Sequence, residues 1–301
     1  MLFYIWLVCL FLQYLEVKYN YLDTKASIFT LIMILIFFCI LLCPYQVFYK
    51  RARMELLVTM MNIFGSPFTC VRFKDFFLAD IFTSLVKPFQ DIVIGACFFS
   101  NKHWLENTEA SCSWLGLGLI IMMVVPFYWR LMQCLKKYYE TKDKFPHLVN
   151  AGKYMSSIAV VFLNLLNYYA ESPSKMTWVL AYIFATLYAY IWDITMDWGL
   201  IRSNPNYPFL RQKILFPEKW YYFAMISNLL LRFAWTLTLF SSSFFSSSIF
   251  EMDVIIFALS IMEAYRRAQW SLFRVENENV NNYEHYRVFL EIPSLPDDLE
   301  S

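Results

Sequence analysis

Charge is scarce in this chain, and histidine scarcer still. Only 16% of its 301 residues are Asp, Glu, Lys or Arg, too few to clothe a water-soluble domain of this size. Its three histidines, His103, His147 and His285, are scattered in loop-like stretches, so neither a metal site nor a cofactor is expected. No P-loop, GxSxG or HExxH string occurs, and the chain is not read as an enzyme. Ten-residue alternation of apolar and polar residues is missing too, which argues against a membrane β-barrel. The seven cysteines form no CxxC pair. Cys9, Cys39, Cys97 and Cys134 lie in or at the ends of apolar runs and read as small buried hydrophobes. No N-x-[ST] sequon exists, so glycosylation gives no guide to sidedness.

What is present is apolar length. The chain is 59% hydrophobic and 20% aromatic, with long charge-poor runs throughout, as in an all-α polytopic membrane bundle. About eight spans are expected, at Leu2–Val17, Ala26–Tyr45, Phe73–Phe99, Ser113–Leu135, Val149–Ala170, Thr177–Leu200, Lys219–Ser248 and Asp253–Arg274. The first lacks the basic start and small-residue cleavage site of a signal peptide and is kept as a helix. Residues 46–64 fit either an interfacial amphipathic helix or a basic juxtamembrane linker. Pro88 is expected to kink the third span, with positions 80, 84, 87 and 91 as one polar stripe, and Arg130 reads as a snorkelling anchor.

Basic residues alternate between connecting loops. Stretches 46–75, 136–148 and 199–219 hold five, four and four Lys or Arg, against two, one, one and none in 17–25, 100–112, 171–176 and 249–252. Such alternation suits eight consecutive crossings and places both termini in the cytosol.

Ionisable residues inside the spans carry the functional reading. Asp80, Lys87, Asp91, Lys153, Asp193, Asp197, Arg232, Glu263, Arg266 and Arg267 all fall there, at a cost of roughly 2.5–3.5 kcal/mol for a central arginine. They either staple the bundle internally or line a wet path. In the last helix Glu263 can pair with Arg266 or Arg267 at i+3 or i+4, which leaves a positive surplus. Guanidinium forks match phosphate oxygens in a bidentate way, so an anionic oxygen ligand is expected in an aqueous cavity beside them. Trp235 and Trp270 share faces with these bases and either line the route or serve as core aromatics. Asp193 and Asp197, one turn apart, leave a metal-dependent lipid-phosphate transferase as a weaker alternative.

The strings FKDFFLADIFTSLVKPFQD (73–91), RLMQCLKKYYETKDKFPHLVNAGKY (130–154), YIWDITMDWGL (190–200), LLRFAWT (230–236) and MEAYRRAQWSLFRVENENVNN (262–282) resemble those of the EXS-domain family. That family includes phosphate exporters of the retrovirus-receptor type and the fungal ER-retention-defective proteins. The resemblance implies a six-helix EXS core in 73–275; the residues themselves give two early helices and a basic interfacial helix in 1–72 and a polar cytosolic tail in 276–301. The resemblance also implies that Lys153, Tyr154, Arg232, Trp235, Arg266 and Arg267 contact phosphate. Asp80, Asp193, Asp197 and Glu263 would organise those contacts, and Thr83 stands where the exporters have asparagine. About 70 residues precede the core, without room for the exporters' SPX domain, a layout similar to the ER-retention-defective branch. The expected role is therefore phosphate transport from Golgi lumen to cytosol, in support of glycosylation and of protein retention. A Golgi sorting scaffold without transport is the alternative, as are the plasma or ER membrane for location. Inorganic phosphate and the bilayer are the expected partners, Golgi glycosyltransferases, sorting factors or a second copy further ones, and nucleic acid is not.

Overall fold

The computed structural model describes residues 7–13, 15, 27–100, 112–169, 175–202, 207–237 and 249–289. Among these residues every regular element is helical. The helices are α1 Ser27–Leu42, α2 Lys50–Phe64, α3 Phe73–Phe82, α4 Val86–Ser100, α5 Leu115–Thr141, α6 His147–Tyr169, α7 Lys175–Trp192, α8 Glu218–Arg232 and α9 Ile249–Phe289, with a π-helical turn, Asp193–Asp197, at the end of α7. Of the first expected span, residues 7–13 are helical and most of the rest lies outside the described residues. Three helices among the described residues are long and apolar enough to cross a bilayer, Leu115–Thr141, His147–Leu166 and Met176–Asp197. The bent pair α3–α4 makes a fourth if it is one span, and Ile28–Leu42 is apolar but shorter. The seventh expected crossing is helical to Arg232, and its residues 238–248 lie outside the described set. The chain is a helical multi-pass membrane protein, as its composition leads one to expect.

The chain packs as two compact units, Met1–Tyr154 and Met155–Ser301. In the first, α3 and α4 meet at 68°, and the break lies at Thr83–Leu85 rather than at Pro88. Thr83 turns its hydroxyl back onto the Asp80 carbonyl at 2.7 Å. Pro88 is the third residue of α4, where a missing N–H removes no intrahelical bond. The bend also divides the expected stripe. Asp80 is buried, whereas Lys87 and Asp91 pair with each other at 2.5 Å with both side chains exposed.

Residues 46–64 resolve into a helix in their larger part, and Arg53 explains its seat. Its guanidinium donates to the carbonyls of Ile40, Leu41 and Cys43 at 2.5, 3.0 and 2.9 Å, and to Val47 and Phe48 at 2.8 and 2.9 Å. A cation thus gathers the orphan carbonyls at the C-terminal end of α1. Ile63, Ala79 and Phe82 form a buried nucleus against Phe89 and Trp129. Where α4 crosses α5, a Cβ on Gly118 would stand 2.8 Å from the Val93 side chain, so the close approach needs glycine.

Two cysteine assignments change. Cys97 is joined to Cys112 in a disulfide, Cα atoms 6.1 Å apart, and is no simple hydrophobe. Cys9 and Cys134 are buried as expected, but Cys39 is exposed.

In the second unit the π turn is marked by Trp198 N–H donating to the Asp193 carbonyl at 2.8 Å, five residues back. Trp198, Tyr221 and Phe273 form a buried aromatic group nearby. Helix α9 continues beyond Arg274 to Phe289. Glu276 and Asn277, the first residues of the expected polar tail, are both buried.

Candidate functional site

Among the described residues, each unit holds a buried ionic cluster built from residues singled out in the sequence and from others that were not. In the first, the α3 bend aims Asp80 at Arg130 of α5. Arg130 Nε donates to Asp80 Oδ1 at 2.8 Å, and Tyr154 Oη donates to the same oxygen at 2.5 Å. Arg130 Nη1 donates to Gln133 Oε1 at 2.7 Å. Only 4% of Arg130 is exposed, so it is an internal ion-pair partner and no snorkelling anchor. Lys153 is buried beside this group, its ammonium 4.5 Å from the Tyr154 ring centroid. Asp80, Lys153 and Tyr154 therefore come together. Thr83 bonds to the Asp80 backbone carbonyl.

The second cluster has Asp193 at its centre. The first residue of the π turn, it sits 2% exposed. Arg232 Nη2 and Nε donate to its Oδ2 at 2.5 and 3.0 Å, and Asn228 Nδ2 donates to the same oxygen at 3.0 Å. Arg266 Nη1 stands 3.7 Å from it. Asn228 and Arg232 are one turn apart on α8, so one helix face supplies both. Glu263 fills the other side of Arg266 in a bidentate pair, at 2.7 and 2.6 Å. Asp193 from the π turn is thus shared by Arg266 and Arg232, so Arg232, Arg266 and Arg267 stand against two carboxylates, Asp193 and Glu263. Arg232 and Arg266 are both seated on carboxylates.

Asp197 does not share Asp193's surroundings, although an ordinary α-helix would put both on one face. Its Oδ2 accepts from Trp270 Nε1 at 3.1 Å, and Arg274 lies 3.9 Å from Oδ1. Trp270, 1% exposed, in turn underlies Arg267, whose guanidinium carbon is 4.6 Å from the indole centroid. Asp197 fixes the platform and the platform fixes Arg267. Trp235 stacks on Tyr182 with centroids 4.1 Å apart, and Trp178 meets it edge-on.

Four participants lie outside the expected site residues: Arg130, expected as an anchor, Gln133, Asn228 and Arg274. The Arg130-x-x-Gln133 and Asn228-x-x-x-Arg232 spacings place each pair on one helix face and are the available signals. The two aspartates of the transferase alternative meet different basic partners, Arg232 and Arg266 for Asp193 and Arg274 for Asp197. Among the described residues no group of three His, Cys, Asp or Glu could hold a metal ion.

The model of the EXS family matches residues 1–280. SPX and EXS domain-containing protein 1 of Dictyostelium discoideum is 34% identical over 278 residues, covering 89% of this chain and 30% of that protein. A Xenopus laevis protein, xenotropic and polytropic retrovirus receptor 1 homolog, is 36% identical over 272 residues, covering 84% and 39%. Human solute carrier family 53 member 1 is 36% identical over 278 residues, covering 85% and 40%. The chain spans well under half the length of each relative. Its matched length, its helical membrane architecture and the clustering of the WDITMDWGL, LLRFAWT and MEAYRRAQWSLFR charges agree: the chain belongs to the EXS family.

Proposed function

We propose that this chain moves inorganic phosphate across a membrane, returning it from Golgi lumen to cytosol and so supporting glycosylation and the retention of Golgi proteins. The observation that carries this reading is the convergence of Arg232 and Arg266, from two helices, on the single oxygen Asp193 Oδ2, at 2.5 and 3.7 Å. An anionic oxygen already occupies the place that a phosphate oxygen requires. Glu263, with 32% of its side chain exposed, is the more accessible carboxylate and is the one phosphate displaces from Arg266. Arg267 on its indole platform supplies a third guanidinium. Near-balanced charge keeps binding weak enough for release, as transport demands. Tyr154, held by Asp80 and Arg130, and Lys153 beside its ring are proposed to contact phosphate as well, with Thr83, Trp235 and Trp270 beside the route. The solute-carrier name of one relative fits transport at family level.

Two independent features support the proposed sidedness, with both termini cytosolic. Loops rich in Lys and Arg mark the cytosolic face. The Cys97–Cys112 disulfide ends a stretch poor in them, and disulfides persist where thiols are oxidised. The Golgi assignment rests on the resemblance to the ER-retention-defective branch.

Radiolabelled phosphate uptake into proteoliposomes containing only this protein tests the reading. Arg267→Ala is expected to abolish flux while leaving insertion and the melting temperature in detergent near wild type. Arg232→Lys, which keeps charge but loses the fork, is expected to reduce it severely. Flux surviving both changes rejects the assigned site.

A further inference from the structure

We propose that Arg211, Glu276 and Asn277, which lie outside the charge clusters above, are positioning residues that hold the π turn in its widened form and thereby set the direction of Asp193. Its consequence for phosphate rests on the transport reading above; its consequence for the turn does not.

A π turn is a rare geometry, found mostly as a single turn within α-helices and often at functional sites. Helix ends also leave carbonyls without intrahelical donors. Here the Asp193 and Ile194 carbonyls receive the N–H groups of Trp198 and Leu200 at 2.8 and 2.9 Å. The next ones are served by side chains from distant segments. Asn277 Nδ2 donates to the carbonyls of Asp197 and Met196 at 3.0 and 3.4 Å. Arg211 Nη1 donates to the Trp198 carbonyl at 3.0 Å.

The clamp is itself clamped. Arg211 Nη1 also donates to Asn277 Oδ1 at 2.9 Å. Arginine only donates and a backbone carbonyl only accepts, so this contact fixes which end of the amide faces the turn. Arg211 Nη2 pairs with Glu276 Oε1 at 2.6 Å, which also accepts from the Leu215 N–H at 2.8 Å and from the Tyr221 hydroxyl. Arg211, Glu276 and Asn277 are all buried, 4–5% exposed. Gly199, at φ +63°, follows the turn, and a Cβ there would stand 2.5 Å from Asn277 Oδ1. The backbone leaves that space to the amide.

On α9, Asn277 lies eleven residues after Arg266, three turns along the same face. One helix therefore grips the turn twice, through Arg266 beside the Asp193 carboxylate and through Asn277 on the Asp197 carbonyl. Release of the second grip lets the turn tighten to α. Asp193 and Asp197 then lie one turn apart on a common face, and Asp193 loses its aim at Arg232.

Asn277→Asp tests this, because it keeps the shape and removes the donor. In proteoliposomes the expected result is a KM for phosphate raised about tenfold to a hundredfold, as misplacement near an ångström produces, with maximal flux per inserted molecule preserved. Arg211→Lys, the milder change, is expected to shift KM in the same direction. Unchanged KM in both overturns the consequence for phosphate. A second arm needs no transport. Melting temperatures of Asn277→Asp, Asp193→Asn and the double variant are compared in detergent. Non-additive shifts are expected, since both changes act on one turn, and strict additivity overturns the positioning claim. Wild-type vesicles that move no phosphate sink the transport reading alone, and the melting cycle still decides the clamp.

Discussion

At the level of single residues, one carboxylate oxygen does the organising in each unit. Asp80 Oδ1 takes Arg130 and Tyr154; Asp193 Oδ2 takes Arg232 and Asn228. Removing one partner from so buried a set leaves an uncompensated charge, whereas removing both leaves none. Asp80→Ala is therefore expected to cost about 3–5 kcal/mol. The double change Asp80→Leu with Arg130→Met should cost clearly less, as read by unfolding in detergent. Arg130 shows what the sequence withholds. An arginine close to a span's end has two good physical outcomes, reaching for the interface or pairing inside. The choice depends on a carboxylate 50 positions away, brought into range only by the α3 bend. Gly199 is the opposite case, a residue whose need is local. Its positive φ and the nearby Asn277 amide predict that Gly199→Ala costs about 1–3 kcal/mol in the same measurement.

Among the helices, the informative places are the ends and breaks rather than the apolar middles. Hydrophobic length locates the bodies of α1, α5, α6 and α7, because a bilayer tolerates few alternatives. It does not locate the bend between α3 and α4. A proline within an apolar run signals a kink on general grounds, yet here Thr83 turns back on Asp80 and the helix restarts before Pro88. Pro88→Ala then costs only the small chain-entropy term of about 0.4–1 kcal/mol and leaves flux unaltered. A large loss on that change would return the bend to the proline. The π turn is equally hidden from spacing, which puts Asp193 and Asp197 on one α-helical face. Their divergence depends on tertiary hydrogen bonds from Arg211 and Asn277. The pairing of Glu263 with Arg266, by contrast, is an i, i+3 relation that the sequence displays directly.

For the molecule as a whole, class and family were legible while the pairing of charges was not. Scarce charge and long apolar runs leave a helical membrane protein as the economical reading, and the strings from Phe73 to Asn282 indicate the family. Which acid meets which base depends on helix rotation, which composition does not encode. Orientation lies between these cases, since the distribution of basic residues predicts it and the disulfide gives it a handle. Cys70 is exposed on the basic stretch 46–75, whereas Cys97 and Cys112 are joined around the basic-poor stretch 100–112. The two should therefore lie on opposite faces. In vesicles with the cytosolic face outward, an impermeant maleimide is expected to label Cys70 at once, resolved by peptide mass spectrometry. Labelling of Cys97 and Cys112 should require both permeabilisation and a reductant. Labelling of those two by reductant alone, in sealed vesicles, inverts the proposed topology and with it the cytosolic placement of the termini. Labelling after permeabilisation without reductant removes the disulfide and leaves the basic loops as the sole guide to sidedness. The flux measurement is independent of either result, because the Asp193 cluster lies within the second unit and needs no particular face to bind an anion.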